Sequence, residues 1–155
     1  MEQDDRPPYG SYASIAATFA GGLTAATLLA KLLNREPREL DALDLVTLSA
    51  ATFKLSRTIS RDKVGSFVRE PFVEGDAYGG DEEPAGEGVQ RAIGELVTCT
   101  RCVGTWVAAG LGSAQIVAPR FGRLVCWTLA AGAANDFLQA GFVALTARAS
   151  AREHA

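Results

Sequence analysis

Two cysteines three residues apart, in Cys99-Thr100-Arg101-Cys102, run directly into Val103-Gly104-Thr105-Trp106-Val107. At the start of a helix this spacing places both sulfurs near the positive helix end, which favours thiolate, and Arg101 adds a further positive charge. Three chemistries are open to the pair. It could cycle between dithiol and disulfide. Cys99 and Cys102 could supply half of an all-cysteine tetrahedral zinc site, the other half coming from a second copy of the chain. Or both are small side chains that pack where the helix begins. A single such pair is a weak metal signal. The third cysteine, Cys126, is expected near the opposite end of the protein, too far away to complete a site. An odd cysteine count does not suggest a disulfide-stapled secreted framework.

Asn135-Asp136, with Gln139 one turn later, lies inside the otherwise apolar stretch 124–147. An ionisable group at that depth in a membrane is costly and faces a bundle interior or a wet cavity. Asp136 could serve a proton or ion path in a small transporter or channel subunit. It could equally form a structural clasp to Lys54, or to the hydroxyls of the segment around it, with Gln115 as a further member. A third group is basic: Lys54, Arg57, Arg61, Lys63 and Arg69, with Asp62 among them. It reads as the excess of positive charge on the cytoplasmic side, and it would attract anionic headgroups. Trp106 and Trp127 suit interfacial anchoring.

Enzyme signatures are missing. The one histidine, His154, sits at the terminus, and no nucleophile–base set or phosphate-binding glycine loop occurs. The expectation is a non-enzymatic protein with no catalytic residue and no cofactor beyond the zinc alternative. A net charge of −3 makes no case for nucleic acid.

The elements that must position these groups are long and apolar. Residues 7–30 hold no charged side chain, and about 20 apolar residues cross a bilayer. Two more such stretches follow at 102–119 and 124–147. Mean hydropathy is only +0.09, because a polar block at 54–95 dilutes the flanks. The acidic start lacks a basic region, so the first apolar segment is expected to persist rather than be cleaved. Helices are expected over 11–33, 41–60, 88–118 and 123–148, with tails at 1–10 and 149–155. The Gly- and acid-rich stretch 73–88 is expected to be a flexible loop. Helix 41–60 carries Asp41 and Asp44 as a capping box, and Lys54 and Arg57 near its other end. It spans, or it lies in the interface. Small residues recur four apart at Ala13, Ala17, Gly21 and Ala25, and at Gly104, Ala108 and Gly112, which suits close helix packing or a homo-oligomer.

Three patches carry a resemblance. They are Phe53-Lys54-Leu55-Ser56-Arg57 leading to Ser60-Arg61-Asp62-Lys63-Val64, then Val68-Arg69-Glu70-Pro71-Phe72, then residues 94–107 from Gly94-Glu95-Leu96 through Trp106-Val107. Together they resemble the bacterial membrane proteins grouped as domain of unknown function 1360, some labelled sporulation proteins. The resemblance covers about residues 43–147. Its usual cysteine pair has proline or tryptophan in the middle, where this chain has Thr100 and Arg101. It implies location and architecture rather than activity, and it makes the first helix an addition.

The resulting expectation is an all-α integral membrane bundle of four transmembrane helices with a polar cytoplasmic loop. It sits in the bacterial cell membrane, multi-pass, with both termini cytoplasmic. Its partners are the lipid bilayer and other membrane proteins or further copies of itself. The expected role is structural, in assembly or sporulation-like envelope development. A thiol or zinc module and a transporter subunit are the alternatives. The residues singled out are Cys99, Cys102, Gly104 and Trp106, then Arg57, Arg61, Asp62 and Lys63, then Asp136.

Overall fold

A computed structural model describes residues 8–35, 39, 41–76 and 81–153. Residues 1–7 of the expected N-terminal tail, and His154, lie outside them. The described chain is all-α apart from one short ribbon. Its elements are α1 (Tyr9–Leu32), α2 (Ala42–Ser60), a 3-10 turn Lys63–Gly65, α3 (Ser66–Arg69), a second 3-10 turn Glu70–Phe72, strands β1 (Val73–Glu74) and β2 (Glu83–Pro84), α4 (Gly88–Thr98), α5 (Thr100–Val117) and α6 (Pro119–Glu153).

Local chemistry explains the helix ends. Asp41 accepts the Asp44 amide at 2.7 Å, and Asp44 accepts the Asp41 amide at 3.2 Å. This closes the capping box at the start of α2 and satisfies two donors that the first turn leaves free. The helix expected over 88–118 is two helices. Cys99 adopts extended backbone (φ −97, ψ 103), and its sulfur accepts the Cys102 amide at 3.2 Å, so Cys99 caps α5. The expected start at 123 moves back to Pro119, because proline is pre-set for a first helical turn and lacks only a donor that has no partner there. Gly122 makes the reversal possible. A Cβ at that position would collide with the backbone of Ala114 and Gln115.

Contacts between helices fix their levels. The Ser60 and Thr100 hydroxyls meet at 2.6 Å, so the end of α2 lies beside the start of α5. Lys54 Nζ donates to Asp136 Oδ2 at 2.7 Å, and the Phe53 and Phe137 rings stack at 5.3 Å, placing α6 against α2. Tyr12 donates to Glu95, and Phe19 meets Trp106 edge-on at 5.0 Å, so α1 runs along α4 and α5. The four long helices therefore alternate in direction. The segment between α2 and α5 caps one end, and α1 starts at that end.

The core lies where α2, α5 and α6 meet. Ala51, Val103, Val107, Leu111 and Cys126 are buried, with Leu48, Leu55, Ile59, Val125 and Leu129 packed around them. Ala133 is also buried, and Gly104 faces Ser56, where an added Cβ would come within 3.8 Å. Small side chains and modest aliphatics thus share the centre. Large apolar ones lie outside, among them Leu28, Leu32, Leu45, Phe121, Leu138 and Phe142. Helix α1 buries Ala30 among its described residues, and the face formed by Ala13, Ala17, Gly21 and Ala25 is exposed rather than packed. Among the described residues, α1 is the one helix long and apolar enough to cross a membrane by length and composition. Gln115 in α5 and Asn135, Asp136 and Gln139 in α6 make those helices more polar.

The stretch 73–88 is ordered at both ends. β1 pairs antiparallel with β2, Val73 opposite Pro84 and Glu74 opposite Glu83. The Ala85 amide donates to the Phe72 carbonyl at 2.9 Å. Helix α4 presses its Gly94 against this ribbon, and a Cβ there would strike the Phe72 carbonyl and Pro84. Gly94→Ala is expected to cost about 1–3 kcal/mol through overpacking. Gly110→Ala, at an α5 position with open space around it, is expected to be neutral or slightly stabilising. Thermal melting of the two purified variants beside the parent chain checks this, and equal midpoints would refute the close approach.

Candidate functional site

The residues that carry chemistry gather at the capped end, and Arg69 organises them. Its side chain is 1% exposed. Nε and Nη2 bind the Glu82 carboxylate in a two-pronged pair, at 2.6 and 3.0 Å. Nη1 donates to the Ile59 carbonyl at 2.6 Å and the Asp62 carbonyl at 3.2 Å. A planar guanidinium suits this task because its donors diverge in fixed directions. One side chain thereby joins the end of α2, the turn after it and the ribbon. This removes Arg69 from the basic surface group expected from the sequence. Gly65 completes the turn, since a Cβ there would overlap the Thr58 carbonyl.

The other basic residues separate by environment. Lys54 is half-buried and belongs to Asp136, and the Gly132 position lies against its aliphatic stem. Arg57, Arg61 and Lys63 stay exposed. Asp62 accepts the Thr58 hydroxyl at 2.9 Å, which turns it back onto α2. Arg91 pairs with Glu95 at 3.3 Å. Gln115 does not join Asp136. It donates to the buried Cys126 sulfur at 3.1 Å, near the opposite end of α5.

Cys99 and Cys102 form a disulfide across the first turn of α5. In that state neither sulfur is a thiolate ligand, so a zinc site would require the reduced pair. Among the described residues no group of three or more histidine, cysteine or acidic side chains is placed to hold a metal. Cys102 is exposed, whereas Cys99 is partly covered and turned into the cap. Beside the pair opens a cleft of about 470 Å³ lined by Arg61, Thr98, Cys99, Thr100 and Arg101. Trp106 lies farther along α5, against Phe19 of α1. Gly104 lies between these levels and faces Ser56 of α2, where an added Cβ would make ordinary van der Waals contact.

The structure therefore brings Cys99 together with Arg61, and places Asp62, Lys63 and Arg57 on the adjoining surface. Asp136 lies away from this end, level with Lys54. The residue that sequence reasoning missed is Glu82. It sits in an acid-rich stretch whose composition reads as solvent-exposed, and nothing local marks it as a partner of Arg69. The Arg-Glu-Pro sequence after Val68 was the one available sign that this arginine had a fixed place.

A small all-α protein has here a helix bundle, a clamped cap and a cysteine pair at the junction. Residues 47–142 match the family described as protein of unknown function (DUF1360), and the chain belongs to that family. It is similar to the sporulation protein YjcA of Bacillus subtilis (strain 168), at 36% identity over 98 residues, covering 59% of this chain and 83% of that protein. It is also similar to the UPF0713 protein YngL of the same organism, at 28% identity over 107 residues, covering 64% of this chain and 78% of that one. No solved structure matches. The matched region starts inside α2 and contains the Arg69 clamp, the cysteine pair and Asp136, while α1 lies before it.

Removing one partner of a buried, hydrogen-bonded ion pair leaves the other charge uncompensated, which costs about 3–5 kcal/mol. Arg69→Met is expected to lower stability by that order, and Glu82→Leu, which leaves the buried guanidinium without its carboxylate, by a similar amount. The Arg69→Met/Glu82→Leu double variant is expected to recover part of the loss. Unfolding of the three variants measures the coupling, and strictly additive losses would show that the pair is not a unit.

Proposed function

We propose that the chain is a multi-pass membrane protein of structural type, in which α1, α2, α5 and α6 cross the bilayer. The cap and both ends of the chain then face the cytoplasm, where the Lys and Arg excess lies. The observation that carries this reading is the radial order of side chains. Alanine, cysteine and modest aliphatics fill the bundle centre, and many of the large apolar side chains cover the outside. In water this order would leave an extensive apolar surface wet. In hydrocarbon it is the favourable arrangement, because close backbone approach, rather than expulsion of water, holds the helices together.

Two further features support it. Outward-facing hydroxyls are satisfied by their own helices: Thr18 by Ser14, Thr24 by Ala20, Thr27 by Leu23, Thr128 by Leu124 and Thr146 by Phe142, at 2.8–3.1 Å. A bilayer demands such internal partners. Helices α2 and α5, of 19 and 18 residues, are each about 27 Å long at 1.5 Å per residue, near the thickness of the hydrocarbon core. The Lys54–Asp136 pair supports a structural clasp over an ion path, since each charge is neutralised by the other.

The sporulation relative directs the role toward envelope development, through assembly with other membrane components rather than catalysis. A thiol function is the second reading, favoured by the Cys99–Cys102 disulfide beside an open cleft. Loss of sporulation efficiency on deleting the gene in its native host, restored by a Cys99→Ser copy, supports the structural role. Failure of that copy to restore it supports the thiol role.

Topology is tested with single engineered cysteines in a Cys99→Ser/Cys102→Ser/Cys126→Ala background. Lys63→Cys is expected to react with a membrane-impermeant maleimide in inverted vesicles, and Glu39→Cys in intact cells. Reaction of both from one side would overturn the crossing of α2.

A further inference from the structure

We propose that the cleft between Arg61 and Arg101 binds the phosphate of an anionic lipid headgroup. This rests on the membrane reading above, and it names a ligand and the residues that hold it.

The cleft has the right charge. Among the described residues, the other cap arginines at 69 and 91 are engaged, with Glu82 and Glu95. The side chains of Arg61 and Arg101 form no hydrogen bond or ion pair there, yet both line the same 470 Å³ opening. Among the described residues no carboxylate lines it. The acid adjacent in sequence to Arg61, Asp62, is turned toward Thr58. Two unpaired guanidiniums facing one cavity favour a doubly coordinated anion, because each offers divergent N–H donors to phosphate oxygens.

The remaining walls suit the same ligand. Thr100 contributes a hydroxyl, while the Thr98 hydroxyl donates to the Gly94 carbonyl at 2.8 Å and has no proton left for the ligand. Thr100 is held by Ser60 at 2.6 Å, which fixes the wall between α2 and α5. The amides of Thr100 and Arg101 belong to the first turn of α5, where no carbonyl of the same helix reaches them. The Cys102 amide is already taken by the Cys99 sulfur. The two guanidiniums carry the site, and the helix end adds to it.

Its height selects a lipid over a free anion. The cleft opens where α2 ends and α5 begins, at the boundary of the apolar slab. A headgroup phosphate resides at that level, and its acyl chains would run down the exposed apolar surface below.

The test uses the full chain in nanodiscs of phosphatidylcholine. Each disc carries a trace of phosphatidylglycerol, or of phosphatidylcholine, with a fluorescent acyl tail that accepts tryptophan emission. Energy transfer from Trp106 and Trp127 reports enrichment of the labelled lipid around the protein. Transfer to labelled phosphatidylglycerol is expected to exceed that to labelled phosphatidylcholine several-fold. Arg61→Gln and Arg101→Gln are each expected to lower the excess at least threefold, and Arg57→Gln, a cation outside the cleft, to lower it less than twofold. Equal transfer to both lipids, or an excess indifferent to Arg61 and Arg101, would overturn the proposal while leaving the membrane reading intact. Displacement by millimolar inorganic phosphate would overturn the lipid assignment in favour of a soluble anion. Protein that enters neither disc would overturn both readings.

Discussion

Every feature at the capped end depends on the burial of one guanidinium. Arg69 satisfies two carbonyls near the end of α2 and a carboxylate from the far side of the ribbon. Taking an arginine out of water is expensive unless its donors are all answered. Four hydrogen bonds engage every guanidinium nitrogen, and they require the α2 end, the Asp62 turn and Glu82 to hold their places together. With the ribbon set, Gly94 can press α4 against Phe72. With α4 set, Cys99 reaches the position from which it caps α5. The cysteine pair and its neighbouring cleft sit on the same capped end, held locally by the Ser60–Thr100 contact and the Cys99 cap.

The bundle below follows a different rule. Its interior is made of alanine, glycine, serine and modest aliphatics, and a half-buried ion pair joins Lys54 to Asp136. Such an interior gains less from expelling water than from residues that meet between helices, as Gly104 faces Ser56. Several of its polar groups answer one another across helices or fold back on their own backbone, while the buried Thr52 hydroxyl has no partner among the described residues. These choices share one physical cause if the surrounding medium is hydrocarbon: a polar atom turned outward finds no water there. The proposed structural role draws on the same economy, since such a bundle exposes apolar faces to lipid or to neighbouring helices and concentrates its charge at its ends.

Membership in the family sharpens what belongs to the shared architecture. The matched residues start within α2 and run to the middle of α6. They include the clamp, the cleft and the ion pair, so these form one connected unit. Helix α1 rests on that unit through Tyr12 and Phe19 and leaves its small-residue face open. It contributes the most apolar segment without entering the core.

Much of this was legible in the residues themselves. The apolar runs set the long helices, because length and hydropathy are local quantities. Asp41 and Asp44 announced a cap, since its partners lie three residues apart. The pairing of Asp136 with Lys54 was among the options, because a charge in an apolar run needs an answer and few were on offer. What stayed hidden depends on contacts between residues distant along the chain. Arg69 read as one more surface cation until Glu82, 13 residues on, folded back over it. The break at Cys99 required the neighbouring ribbon. The cleft required Ser60 and Thr100, 40 residues apart, to meet. Sequence by itself determined which segments are helical and apolar, because periodicity and composition act within a few turns. Tertiary structure alone decided which charges are buried, which are paired and which are left facing a cavity, because an ionic side chain's state depends on what the rest of the fold brings within about 3 Å of it.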